Sequence, residues 1–350
     1  MSTTSQSFHN TVFFGQSQID LGDSALASAR WPTPDLIISD GPYGLGQYPG
    51  EPGTPKHLAP WYEPHVAEWS KRSRPGATLW FWNTEVGWAT VHPVLEDHGW
   101  EYQQCGIWDK GIAHVAGHCN SKTIRAMPVV TEVAARYTKR VTFKGPDGVA
   151  RPAQDWLRKE WMRSGLPMSK ANEACGVKNA AARKYLTSDH HWYFPPGEAM
   201  MKMAAYCENF GRPNGGLPYF SMNGAQPISA KDWDALRPTW HHAHGHTNVW
   251  HCGAVHGHER LRSANGYAHP NQKPLEILDF QIKSSSNPGE IIWEPFGGVC
   301  SVAVAALRND RLFFSAEIFP DYFNAATARL QSEFDAKLVA HQLKGLDNNS

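Results

Sequence analysis

Several common features are missing from this chain. No two of its six cysteines form a C-x-x-C pair, which speaks against a zinc ribbon or a dithiol redox centre. No apolar run is long enough to span a bilayer, and the opening stretch Ser2–Asn10 is polar. Neither a transmembrane segment nor a signal peptide is therefore expected. Free thiols in a reducing, cytoplasmic compartment are the expectation. Charge of one sign is not in excess either, because 33 basic residues balance 33 acidic ones. A nonspecific nucleic-acid coating protein would be strongly basic, so that class is disfavoured; an enzyme with one basic face is not. There are no internal repeats.

The chain does have enough apolar side chain, 41% of 350 residues, to bury a core. Its length suits one large domain, or a catalytic domain with a smaller module. Its 15 tryptophans belong mostly to the core. Strand-like and helix-like segments alternate. Short apolar runs at Val12–Phe14, Asp35–Ser39 and Thr78–Trp82 predict strands, as do Trp100–Asp109 and Val129–Thr138. Helical spacing occupies Glu63–Arg74 and Glu85–His98 between them. The rhythm fades at 143–265 and returns with helices at Leu275–Ser284, Val299–Arg308 and Asp321–Asp335 around strands at Glu290–Glu294 and Leu312–Ala316. This alternation predicts an α/β fold with a parallel, Rossmann-like sheet and helices on both faces. The expected divisions are a first catalytic part (1–142), an inserted, mainly helical or irregular module (143–265), a second catalytic part (266–335) and a tail (336–350), frayed from Lys344 to Ser350.

Two constellations carry chemistry. In the first, Glu290–Glu317, a strand enters a glycine turn, a helix follows at once, and a second strand ends in Glu317. Glycines allow close backbone approach to a ligand beside a helix N-terminus, and an acid at the end of the next strand suits ribose hydroxyls. The second is Ser39–Gly44, SDGPYG, at the end of a buried strand. Asp40 and the Gly41 carbonyl, held by Pro42, offer two acceptors for an amino group, and Tyr43 offers a ring to stack on a base drawn out of a helix. A conjugated amino nitrogen is a poor nucleophile, and two such acceptors aim its lone pair.

Together the two motifs resemble the DNA amino-methyltransferase family, whose mark is [D/N/S]-P-P-[Y/F/W]. The order here, catalytic motif first and glycine motif last, is similar to its beta class. Ile107–Lys110 (IWDK) resembles the family's I-W-x-K strand, Glu132 falls at the acid of the following strand, and His269–Pro274 (HPNQKP) matches H-P-x-x-K-P. The resemblance covers about residues 10–140 and 248–332. It implies S-adenosyl-L-methionine as cofactor, lying over Phe296–Gly298, with Glu317 on the ribose and Asn271 and Lys273 near the methionine end. Three positions depart from the pattern. Gly41 stands where the family has its first proline. Glu294-Pro-Phe-Gly-Gly-Val-Cys300 replaces D-P-F-x-G-S-G, so that Cys300, counted with Glu294, Phe296 and Gly298 in the cofactor loop, takes the place of the last glycine. Gly15-Gln16 is taken as the counterpart of an N-terminal Gly-Asp, which puts Gln16 at the cofactor's adenine.

The resemblance further implies double-stranded DNA as substrate, a flipped target base, and neither a metal nor a covalent intermediate. No Pro-Cys dipeptide of the cytosine-C5 enzymes occurs. Asp at the first motif position favours adenine N6 over cytosine N4. A companion restriction endonuclease is a possible partner, the host is a prokaryotic cell or its phage, and monomer and homodimer stay open. Within residues 151–187 eight basic side chains face three acids. Ser169–Leu186 resembles a helix-turn-helix, with Gly176 in the turn, Ala171, Val177 and Ala182 inward, and Lys178, Asn179, Arg183 and Lys184 free for DNA. The cluster His241, His242, His244, His246, His251, His256 and His258 with Cys252 suits either a polar loop on DNA or a zinc site, although its spacing fits no structural zinc pattern. A DNA-binding protein that has lost catalysis is the competing class, and an RNA or protein methyltransferase is a third.

Overall fold

The computed structural model describes residues 10–115, 125–189, 191–242, 244–263, 266–267 and 269–347. Cys119 lies outside them. The chain divides into two compact units, Met1–Lys139 with Pro238–Ser350, and Arg140–Arg237.

The chain opens with a hairpin, β1 (Asn10–Phe14) and β2 (Ser17–Leu21), whose two-residue turn is Gly15-Gln16 with Gly15 at φ 63°. That left-handed start is what a tight hairpin turn needs, and it explains the glycine. Then come α1 (Ser24–Ala27), β3 (Leu36–Ser39), α2 (Leu58–Arg72), β4 (Thr78–Asn83), α3 (Glu85–Asp97), β5 (Trp100–Asp109) and β6 (Thr131–Lys139).

The second unit has a small hairpin, β7 (Thr142–Lys144) with β8 (Ala150–Pro152), followed by α4 (Ala153–Arg163), α5 (Lys170–Ala174), α6 (Ala181–Lys184), α7 (Gly197–Phe210) and α8 (Ala230–Ala235). Its own core includes Trp156, Trp161, Met203, Cys207 and Trp233. The chain then returns with β9 (Val249–His251), a ribbon of β10 (Arg262–Ser263) and β11 (Gly266–Tyr267), α9 (Leu275–Ser285), β12 (Ile291–Glu294), α10 (Ser301–Arg308), β13 (Leu312–Glu317) and α11 (Pro320–Asp347).

Nine strands form one sheet in the order β1-β2-β13-β12-β3-β4-β6-β5-β9. Strands β2, β13, β12, β3 and β4 run parallel, β9 runs parallel to β5, and β1 and β6 run against their neighbours. Both faces are covered, so β3 and β4 are buried along their whole length. The two-residue strand period sorts their side chains. Leu36, Ile38, Trp80 and Trp82 join the core shared with α9, α10 and α11, whereas Ile37, Leu79 and Phe81 join the core shared with α2 and α3. The two β4 indoles are satisfied: Trp80 donates to Ser285 Oγ (3.0 Å) and Trp82 to Gln281 Oε1 (3.2 Å).

The structure divides the chain differently at two places. The second unit ends at Arg237 rather than 265. Residues beyond it rejoin the sheet because β9 pairs with β5 and Trp250 packs against Trp80 and Trp82. The tail from 336 is helix to Asp347, so the part expected to fray from Lys344 is helical as far as that residue; Lys337 ties the helix back to Asp310 and the Leu307 carbonyl. Among the described residues no helix is long and apolar enough to cross a membrane.

Candidate active site

Strands β3 and β12 are neighbours in the sheet although their sequences lie far apart. From β3 the chain passes to β4 on one side, and from β12 it passes to β13 on the other. A crevice opens at the carboxyl ends of parallel strands where connections part in this way. A cavity of about 350 Å³ lies there, lined by Asp40–Tyr43, Gly22–Ser24, Glu294–Val299 and Glu317–Phe319.

Asp40 follows the last residue of β3. Its Oδ1 meets the Lys273 ammonium at 2.7 Å and the Tyr43 hydroxyl at 3.0 Å. The same hydroxyl lies 2.8 Å from Glu132 Oε2, and Glu132 Oε1 takes Lys110 at 2.5 Å. Because β6 is antiparallel, its first residues sit at the carboxyl end of β4, which brings Glu132 to the site. Two acids and two lysines thus close a nearly buried, neutral cluster. Burial raises the Asp40 carboxyl above its ordinary range, with Lys273 opposing and Glu132 reinforcing. Burial acts the same way on Glu132, but Lys273 and Lys110 outweigh it and bring that carboxyl down to about 2. The loop beyond Tyr43 is wrapped around one side chain: the Glu51 carboxylate accepts five backbone N–H groups, from Tyr43, Gly44, Leu45, Gln47 and Tyr48.

Gly41 fits because it has no side chain. A Cβ there would lie 2.6 Å from the Phe296 ring and 2.6 Å from the Tyr62 hydroxyl. Tyr62 donates to the Pro42 carbonyl at 3.1 Å and Asn83 donates to it at 3.0 Å. The loop is thus held from outside.

On the other strand, Glu294 turns back onto the start of α10. It accepts from Val302 N (2.9 Å), Ala303 N (3.2 Å) and Ser315 Oγ (3.0 Å). Burial pushes its carboxyl up to about 8 against these bonds. Glu317, also pushed up by burial, to about 7, accepts from Gly298 N and Phe319 N at 2.7 Å each. Gly298 has φ 53° and Cys300 has φ 55°.

A family model for N6/N4 DNA methylases, described as DNA methylase, matches residues 34–328. This chain belongs to the DNA methylase family. It is 35% identical over 83 residues to the DNA adenine methyltransferase YhdJ of Escherichia coli (strain K12), covering 23% of this chain and 28% of that protein. It is 33% identical over 89 residues to the type II methyltransferase M.HpaI of Haemophilus parainfluenzae, covering 25% and 27%. These matches span less than a third of either relative's length. The structure of PvuII DNA methyltransferase (cytosine-N4-specific) superposes with a TM-score of 0.52 at 10% identity, over 94% of this chain and 95% of that one. That likeness bears on the fold, which is the expected Rossmann-like methyltransferase sheet.

Most of the expected site residues of this DNA methylase meet at the cavity: Asp40, Gly41, Pro42, Tyr43, Asn271, Lys273, Glu294, Phe296, Gly298 and Glu317 all line it. Two expectations, Gln16 and Cys300, need correction. Gln16 is exposed in the hairpin turn, before β2 begins, and the cavity lies past the other end of that strand. The residues beside the cavity are Gly22-Asp23, just after β2, a Gly-Asp pair the sequence had displayed all along. Cys300 is fully buried with its sulfur 3.3 Å from Ser315 Oγ, so it packs behind the loop and does not line the cavity. Lys273 lines the cavity with its ammonium paired to Asp40 and Glu132. Both carboxylate oxygens of Glu294, which also lines the cavity, are taken up by the start of α10 and by Ser315 of β13.

Tyr43 is 8% exposed with its hydroxyl tied between two carboxylates, so only part of its ring faces the cavity. Sequence reasoning missed Glu51, Tyr62 and His65, which lie beyond the Ser39–Gly44 motif and belong to no motif of their own. His269 had been quoted only as part of its motif. Burial lowers it to about 4, leaving it neutral, and its ring packs on Tyr48 and Tyr322.

S-adenosylmethionine fits this cavity. Buried polar atoms without a partner, Ser24 Oγ, Tyr48 OH and His65 Nδ1, belong to residues that line it, and such atoms are costly unless a ligand meets them. The glycine turn brings backbone to its wall, where a Cβ on Gly298 would meet the His269 ring at 3.3 Å.

In the second unit, Lys178, Asn179, Arg183 and Lys184 are exposed. The helix-turn-helix expectation is corrected in part. Gly176 does occupy the turn at φ 67° and Ala171 is buried, but Val177 is 38% exposed and Ala181, not Ala182, fills the core. Helix α6 has four residues, a single turn, too short to lie along a major groove. Four of the histidines are individually engaged: His241 with Asn287, His246 stacked on Phe280, His251 with Asp109 and His256 with the Ala254 carbonyl. Among the described residues no group of three or more His, Cys, Asp or Glu side chains is placed to hold a metal ion.

Proposed function

We propose that this protein transfers the methyl group of S-adenosylmethionine to the exocyclic amino nitrogen of a base flipped out of duplex DNA, adenine N6 in preference to cytosine N4. The observation that carries this is Asp40: Oδ1 is held by Lys273 and Tyr43, Oδ2 accepts nothing from the described residues, and the side chain keeps 20% exposure toward the cavity. An acceptor with one oxygen pre-set and the other open suits an amino group that must be aimed.

Held against Phe296–Gly298 and Glu317, the cofactor would supply an electrophilic methyl on a sulfonium whose sulfur would keep the C–S electron pair once the methyl passed to the amino nitrogen. One amino proton is then released through Asp40 to water. The aspartate in the first motif position and the adenine-specific name of one relative support adenine. The exposed basic residues of the second unit support a role in target recognition, through phosphate or base contacts. The competing idea of a non-catalytic DNA binder rested on Gly41 and Cys300 together with the helix-turn-helix-like stretch. The first two are accommodated locally, Gly41 against Phe296 and Tyr62 and Cys300 beside Ser315, and the stretch builds only short helices, so its support is weakened.

The test is transfer of a tritiated methyl to duplex DNA, RNA and protein in parallel, followed by methylation-sensitive sequencing. Incorporation into DNA on an amino nitrogen is expected. No incorporation, or incorporation into RNA or protein alone, overturns the proposal.

A further inference from the structure

We infer that Lys273 is a positioning residue for the methyl-transfer step: it fixes Oδ1 of Asp40 and keeps that carboxylate ionised, so that Oδ2 is the acceptor offered to the target amino group. This deepens the function proposed above and rests on it.

Lys273 is 3% exposed, and its ammonium lies 2.7 Å from Asp40 Oδ1 and 3.3 Å from Glu132 Oε2. Its stem crosses between two rings, with the ammonium 5.2 Å from the centre of Tyr43 and 5.4 Å from that of Trp82. Lys110 already satisfies Glu132 Oε1, so Glu132 has a cation of its own, whereas Lys273 is the one cation within ion-pair distance of Asp40 among the described residues. The proline after it, Pro274, caps α9, which fixes the backbone from which the side chain enters.

The groups facing Asp40 explain why a cation is required. Glu132 comes from β6, Tyr62 from α2, and Tyr43 and Tyr48 from its own loop; His269, close to Lys273, is neutral. One of these is a like charge and none of the rest is positive. Burial and Glu132 therefore both favour the protonated acid, and Lys273 is the opposing influence. A protonated Asp40 would turn from acceptor to donor and lose its hold on an amino group.

The test is a titration that needs neither DNA nor cofactor. Protein labelled with carbon-13 at the aspartate side-chain carboxyl is followed by NMR against pH, and the Asp40 resonance is identified by its loss in Asp40→Asn. In Lys273→Met the Asp40 midpoint is expected to rise by more than one pH unit, and Lys273→Arg is expected to restore most of the shift. The acidic limb of the kcat profile on DNA should move up with it, with cofactor affinity held within about threefold.

An Asp40 midpoint that stays put in folded Lys273→Met overturns the inference. So does a uniform loss of rate with the pH profile unmoved, which would mark a merely structural lysine. Should Lys273→Met fail to fold, the nitrogen-15 resonance of the Lys273 ammonium in Asp40→Asn reads the same contact from the other side: a shift supports the pairing, and no shift overturns it. A wild-type protein that transfers no methyl to DNA would defeat the proposed function, while the titration would still report on Lys273.

Discussion

Two acids stand at the ends of neighbouring strands, Asp40 after β3 and Glu294 closing β12, and they do opposite things. Glu294 has both oxygens filled by the first N–H groups of α10 and by Ser315. Asp40 has one oxygen filled and one open. The loops that follow also depart from the family pattern in opposite senses. One gains a glycine at position 41 and the other loses one at position 300. The comparison shows that residue type at a strand end does not set the role. What the second oxygen meets does so: a helix N-terminus makes the acid a brace, and a cavity makes it a tool.

The largest effect should come from removing the tool. Asp40→Asn keeps the shape but loses the charge that Lys273 faces. Methyl transfer should fall by roughly 100-fold or more, while calorimetric cofactor affinity stays within about threefold. Residual transfer above a tenth of wild type would mean that the two acids are not divided as argued.

Next comes the gained glycine. Gly41→Pro restores the family residue, yet a side chain there meets Phe296 and Tyr62 at 2.6 Å. Overpacking of this kind costs about 2 kcal/mol, or roughly 5 °C in Tm, and rate should fall with it. Phe296→Leu in the same chain should recover part of the loss. A Gly41→Pro protein as stable as wild type would remove the packing explanation for this departure.

These residues also mark how far the sequence is legible. The α/β alternation, the motif order and the meeting of Asp40, HPNQKP and the glycine turn were all readable, because each is written locally and each lies at a strand's carboxyl end. The partners that give those residues their roles were not. That Lys273 would reach Asp40 depends on the segment before α9 crossing the mouth of β3, and that Glu132 would join them depends on β6 running antiparallel, for which the strand itself carries no signal. Gln16 was mistaken for a cofactor contact because β2 escaped notice: its alternating Ser17–Leu21 lacks a strong apolar run, so the Gly-Asp pair at its far end went unweighed. The short helices α5 and α6 show the reverse error, a pattern of small and basic residues that matched a longer motif than the chain builds.

A smaller effect should distinguish the brace. Glu294 is pushed up to about 8, from roughly 4.5 in the unfolded chain. Its contribution to stability is therefore fully present below about pH 4.5 and is lost as pH rises through about 8. Glu294→Gln mimics the protonated acid and does not titrate. The two proteins should melt within a few degrees of each other at pH 5, and the variant should be the more stable at pH 9. A wild type that gains on the variant as pH rises would show that the helix terminus holds Glu294 ionised, which would bring it closer to Asp40 in kind.

The smallest effect belongs to the lost glycine. Cys300 sits at φ 55° at the head of α10, a left-handed conformation that costs a residue with a Cβ about 1 kcal/mol. Glycine there would relieve that strain but would also remove a fully buried sulfur beside Ser315, a loss of similar size, about 1 kcal/mol. The two nearly cancel. Cys300→Gly should move Tm by no more than about 3 °C and leave cofactor affinity and kcat within about twofold, because the side chain lies behind the loop and the cavity wall is unchanged. Cys300→Val keeps the strain, adds a branch at Cβ and has no room for it, so it should melt clearly lower. If instead Cys300→Gly altered cofactor affinity severalfold, position 300 would govern the turn itself, and the two loops would differ less than their acids do.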